Sequence, residues 1–131
     1  MTRFVVDAEV VIHLLTENIE VSDEHELLAP TLIRSELLAE LYSAVRRGDM
    51  SESEGLELHD RFAKMRMRLL GDAVLRRLAW KLAARLDWES TYRAEYLALT
   101  RLQADAYVTL DEELARSVEG VVETVGIDAL R

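Results

Sequence analysis

Short strand-forming runs alternate with longer amphipathic segments along this chain, and that alternation most narrows the folds open to it. "RFVV" is rich in good strand formers to about Val6, and an apolar-periodic stretch after Asp7 predicts a helix over roughly 8–15. "ELLAP" is a second apolar run, closed by Pro30. Thr31 then reads as an N-cap for a helix through about Arg47 that stops at Gly48. Ser51 with Glu54 forms a capping-box pattern and starts a helix over about 52–67. Asp72 begins another, with Leu75, Leu78, Ala79, Leu82 and Leu86 on one face, and "STYRAEYLALTRL" a further one, capped by Ser90 or Thr91. "ADAYVTL" and "GVVETVGI" read as strands separated by a short helix over about 112–117. Strands alternating with helices predict an α/β fold: a short, mostly parallel central sheet of about four to five strands, flanked by helices on both faces.

The 131 residues suit a single domain spanning 1–131, with half of them apolar and one proline. The absence of cysteine excludes a disulfide framework and any thiolate metal site. The opening apolar run is interrupted by Asp7 and Glu9, too acidic for a signal peptide. No later run reaches the ~20 apolar residues needed to cross a bilayer, so we expect a soluble, cytoplasmic protein with no membrane partner. His13, His25 and His59 lack zinc-ligand spacing, and no phosphate-binding glycine loop is present.

The net charge of −9 argues against a nucleic-acid partner until its distribution is considered. Arg61, Lys64, Arg66, Arg68, Arg76, Arg77, Lys81 and Arg85 crowd into residues 61–85, opposed there only by Asp72. Arg77, Lys81 and Arg85 recur every four residues as one stripe. Arg61, Lys64 and Arg68 form a second, opposite Phe62, Met65 and Leu69. Repeated cations of this kind suit phosphate contacts, although a solvated helix face gives the same pattern.

In parallel sheets ligands bind beyond the carboxyl ends of the strands. Asp7 ends the first strand and Asp111 ends "AYVTL", which sets both acids on one rim. Converging carboxylates repel unless a cation joins them, and Mg²⁺ accepts such hard oxygen ligands while keeping several waters. On the helix over 31–47, Glu36 points away from the stripe Ile33, Leu37, Leu41, Ala44 and Val45, with Glu40 nearer its edge. Glu95 is a fourth acid. Each also has a plainer role: Asp7 and Asp111 as helix caps, Glu36 and Glu95 as solvated helix acids. Trp80 and Trp88 could stack on bases, but Trp80 lies beside an apolar stripe and reads as core or interface. Met65 and Met67 read as packing, Tyr92 and Tyr96 as packing against the sheet, and Leu114 and Val118 as core.

"FVVDAEVVIHLL", "APTLIRSELLAELYSAVRRGDMS" and "TYRAEYLALTRLQADAYVTLDEELA", in that order and over nearly the whole chain, resemble PIN-domain ribonucleases, in particular the toxins of VapBC toxin–antitoxin pairs. The resemblance implies a PIN-like domain and a Mg²⁺- or Mn²⁺-dependent endoribonuclease acting on single-stranded or loop RNA. It also implies a cognate antitoxin, whose basic tail would neutralise the acids, and a homodimer, for which apolar residues on the helices over 31–67 leave room. By position, Asp7 matches the family's first acid, Glu36 its helix acid, Asp111 its last acid and Thr109 the hydroxyl residue accompanying that acid. One departure stands out. An aspartate usually follows the tyrosine of the third block, and here that residue is Arg93, with Glu95 two positions on, about 200° around the helix. Either Glu95 substitutes as a metal ligand or the site is one acid short. The second possibility leaves open a degenerate PIN-like domain without cleavage activity, acting as an RNA- or protein-binding module. A metal-dependent hydrolase of small phosphoesters is a third reading of the same acids.

Overall fold

The computed structural model describes all residues 1–131. Its elements in chain order are β1 (Thr2–Val5), α1 (Ala8–Thr16), β2 (His25–Pro30), α2 (Ile33–Arg47), α3 (Glu52–Ala63), β3 (Arg68–Leu70), α4 (Ala73–Arg85), α5 (Tyr92–Gln103), β4 (Ala106–Val108), α6 (Glu112–Ser117) and β5 (Thr124–Val125), closed by a 3₁₀ turn over Ile127–Leu130. The five strands form one sheet in the order β3-β2-β1-β4-β5, and every pairing is parallel.

Parallel strands must be linked by crossovers, and helices are what the sequence supplies for them. Phe4–Val6, Leu27–Pro30 and Ala106–Thr109 are buried at consecutive positions, which requires cover on both faces of the sheet. α5 packs on β1, β2 and β4 with α4 behind it, while α1, α2 and α3 pack against one another. Thirty buried residues make a single core.

Several boundaries follow their local signals. Ser51 Oγ accepts from the Glu54 N–H at 3.1 Å, the N-cap half of the capping box, and donates to the Glu54 carboxylate at 3.2 Å. Asp72 Oδ1 accepts from the Leu75 N–H at 2.8 Å and starts α4. Gly48 ends α2 at φ +83°, a left-handed conformation that suits glycine.

Two expectations fail. Thr31 does not cap α2: the Thr31 N–H donates to Leu70 O and carries on the pairing with β3, and the helix begins two residues later, at Ile33, with no side-chain cap. The helix expected over 52–67 ends at Ala63, and β3 follows unanticipated. The reason is a change of period: Met65 and Met67 turn inward while Arg66 and Arg68 stay exposed, an alternation of two. Arg61, Lys64 and Arg68 therefore do not form one helical stripe. Arg61 donates to Asn18 at 3.2 Å, and Arg68 pairs with Glu26 at 3.2 Å.

α3 is seated on α2 through Gly55, where a Cβ would come within 2.9 Å of Val45 Cγ2. Alanine there gains about 0.5–1 kcal/mol of helix propensity, but overpacking against a stiff β-branched side chain costs about 1–3 kcal/mol. We expect Gly55→Ala to lower stability by about 1–2 kcal/mol in urea unfolding; an unchanged midpoint would show that this contact does not set the spacing of the two helices.

Candidate active site

The carboxyl ends of β1 and β4 lie side by side, with Val5 level with Tyr107. Just beyond β1, Asp7 has two jobs. Its Oδ1 accepts from the Val10 N–H at 2.9 Å and caps α1, while Oδ2 accepts from the Tyr107 hydroxyl at 2.6 Å. Glu36, in the first turn of α2, is held in the same way: Oε1 accepts from the hydroxyl of Tyr96 on α5, also at 2.6 Å. The two tyrosine rings are buried with centroids 6.3 Å apart. Burial and the adjacent carboxylates push both hydroxyls far above the ordinary tyrosine range, so each stays a proton donor at any working pH.

These groups line a cleft of about 520 Å³. Asp7, Glu9, Glu36, Glu40, Asp87 and Glu89 contribute its acids, and Arg93 is its one cation. Glu40 lies one turn beyond Glu36, and its carboxyl is raised above the usual range by partial burial, then by the charges of Asp7, Glu9 and Glu36. Arg93 also acts on this cluster: its charge opposes the rise at the Tyr107 hydroxyl.

Of the four acids singled out in the sequence, Asp7 and Glu36 meet in this cleft, while Glu95 and Asp111 do not line it. Partial burial raises the Glu95 carboxyl, Arg76 on α4 opposes that, and Glu36 adds to it. Asp111 follows β4 on the same rim and accepts from the N–H groups of Glu113 and Leu114 at 3.0 and 3.1 Å, the cap of α6. Its own N–H donates to Thr109 Oγ1 at 3.0 Å.

No three acidic or histidine side chains converge closely enough to enclose one ion. The chemistry of the donor set still suits a hard cation: Asp7 and Glu36 offer carboxylate oxygens with spare lone pairs, and Mg²⁺ is commonly held by one or two carboxylates plus water. Glu40, whose carboxyl feels the charges of both Asp7 and Glu36, is a further acid that the structure adds to the cleft.

The sequence noted Glu40 without placing it in the site and missed the tyrosine hydroxyls. A tyrosine within a fully buried strand was the available signal for Tyr107, since its hydroxyl must find a partner. Tyr96 is buried as expected, but Tyr92 is 60% exposed, at the cleft mouth. Trp80 is not core: it is 72% exposed. Arg77, Lys81 and Arg85 lie exposed on α4.

The five-stranded parallel sheet flanked by six helices is a PIN-like domain, a fold this chain shares across its length with solved PIN-domain proteins. PAE2754 from Pyrobaculum aerophilum superposes with a TM-score of 0.76 at 19% identity, over 98% of this chain and 92% of that one. VapBC2 from Rickettsia felis, solved bound to a DNA fragment from its promoter, gives 0.71 at 9% identity over 95% and 98%. VapBC-1 from nontypeable Haemophilus influenzae gives 0.65 at 12% identity over 95% and 98%. By sequence, no family profile and no curated protein matches the chain.

Because the folded state holds the Glu40 proton more tightly than the unfolded chain does, this group favours folding most at low pH. That contribution is lost as pH rises from the ordinary carboxylate value through the raised one. Glu40→Gln should therefore stabilise the metal-free protein at pH 7, by less than about 1 kcal/mol given the exposed side chain, with the gain vanishing near pH 4. Thermal unfolding across that range measures it; an equal gain at both pH values would rule out charge as the cause.

Proposed function

We propose that this chain is a metal-dependent endoribonuclease of the VapC toxin type, cleaving phosphodiester bonds of single-stranded or loop RNA. The observation that carries the reading is the pair Asp7 and Glu36, each fixed by a buried tyrosine hydroxyl at the carboxyl rim of a PIN-like sheet. Mg²⁺ or Mn²⁺ bound there would offset phosphate charge and activate a water for in-line displacement.

The chain's own residues then have separable tasks. Asp7 and Glu36 would hold the cation, with the bonds from Tyr107 and Tyr96 keeping their carboxylates in place. Glu95 and Asp111, with Thr109 orienting the Asp111 backbone, complete the ligand set if their side chains turn toward the cleft on loading. Arg77, Lys81 and Arg85 supply phosphate contacts beside it, with Arg61, Lys64 and Arg68 secondary because Arg61 and Arg68 already have protein partners. The VapBC structures among the similar folds support a cognate antitoxin as partner, for which the acidic cleft suits a basic segment. Leu38, Tyr42 and Leu56, exposed on α2 and α3, give a homodimer an apolar contact.

A second reading rests on Arg93, the cation in a cleft of acids. If its guanidinium takes the place of the metal's charge, the domain binds RNA or protein without cutting. Cleavage assays with Mg²⁺ or Mn²⁺ separate the two. Asp7→Asn keeps the helix cap, since asparagine caps as well as aspartate, and should lower cleavage by about 100-fold or more with folding intact. Arg93→Asp should raise Mg²⁺ affinity in calorimetry. Metal-independent behaviour of the antitoxin-free protein, with no cleavage of any RNA, would favour the binding module.

A further inference from the structure

α4 buries Leu75, Ala79, Leu82 and Ala83 and turns its opposite face to solvent. On that face Trp80 is 72% exposed, the most exposed large apolar side chain after Met1. Arg76 and Arg77 sit one helical turn before it, and Lys81 and Arg85 continue the face toward the C-terminal end. No acid occurs within α4, and none of its four cations forms an ion pair within 4.0 Å. The helix also runs into the cleft. Arg85 is its last residue, Asp87 reverses the backbone at φ +57°, and Trp88 folds back with its N–H on Ala83 O at 2.9 Å, so Asp87 and Trp88 line the cleft wall. From Trp80 to Arg85 is about 7.5 Å along the helix axis.

We propose that the solvent face of α4 is a track for single-stranded RNA, on which Trp80 stacks one base while Arg77, Lys81 and Arg85 hold phosphates of the strand leading to the cleft. This rests on the ribonuclease reading and names how its substrate is seated. A flat indole surface among unpaired cations matches a single strand, which offers an unstacked base for every phosphate. Duplex RNA keeps its bases stacked inside the helix and offers Trp80 nothing to stack on. A second copy of this chain is a poorer occupant. A two-fold contact through α4 would lay a face whose only charges are four cations on its own equivalent. A flat anionic lipid surface is disfavoured by the acids at the end of the helix, Asp87 and Glu89.

The test is fluorescence anisotropy of a short labelled oligouridylate on the full chain in EDTA, which removes cleavage from the measurement. Trp80→Leu should weaken binding by about tenfold and leave the salt slope unchanged, whereas Trp80→Phe keeps most of the affinity. Arg77→Ala and Lys81→Ala should each flatten the salt slope by about 0.7. Wild-type affinity in Trp80→Leu overturns the proposal. So does a dimer that Trp80→Leu dissociates in sedimentation without altering RNA affinity, or binding to phosphatidylglycerol vesicles in place of RNA. Asp7-dependent cleavage with Trp80-independent binding sinks this proposal and spares the ribonuclease. Trp80-dependent binding without metal-dependent cleavage does the reverse.

Discussion

Two carboxylates brought to one rim repel each other, and the structure around them is organised to bear that repulsion. Asp7 is committed to its place by the chain itself, because the same side chain that faces the cleft also starts α1. Glu36 has no such tie and depends on Tyr96 from a different helix. The two hydroxyls come from β4 and α5, elements distant in sequence from the acids they serve. A hydrogen bond to a charged group contributes about 1.5–3 kcal/mol, so this pair of contacts also ties β4 to the start of α1 and α5 to α2.

Charge in this molecule is segregated by element. The cleft gathers acids, α4 carries only cations, and the Glu95 carboxyl feels the charges of both Arg76 and Glu36. A net charge of −9 conceals this division. The field is therefore attractive to anions along one helix and repulsive to them at the cleft.

The sequence disclosed the fold where a local signal coincided with a tertiary one. β1, β2 and β4 are consecutive apolar runs because they are buried on both faces. The caps at Ser51, Asp72 and Asp111 have side chains that can satisfy backbone N–H groups without help from afar. It failed where the decisive partner was remote. Thr31 has the chemistry of a cap, yet β3 claims its N–H. β3 itself was hidden because it has only three residues, with four residues between it and the end of α3, and the alternation at Met65–Arg68 is too short to outweigh the helical period before it. Within the site, Asp7 and Glu36 were readable from position. The tyrosine hydroxyls and Glu40 were not, since which face of α2 meets α5 and β4 is decided only in three dimensions. Trp80, beside an apolar stripe, is exposed, which excludes the core reading and leaves the interface one.

The order β3-β2-β1-β4-β5 leaves strands of only three and two residues at the margins of the sheet. A margin that short offers few free backbone groups for another chain to pair with. Contacts between copies must then form through helical surfaces, where side-chain identity governs the outcome, rather than by sheet extension, which is indifferent to it. A protein that presents Leu38, Tyr42, Leu56 and Trp80 to solvent is thereby guarded against the β-type aggregation that exposed apolar residues invite, and its encounters remain selective.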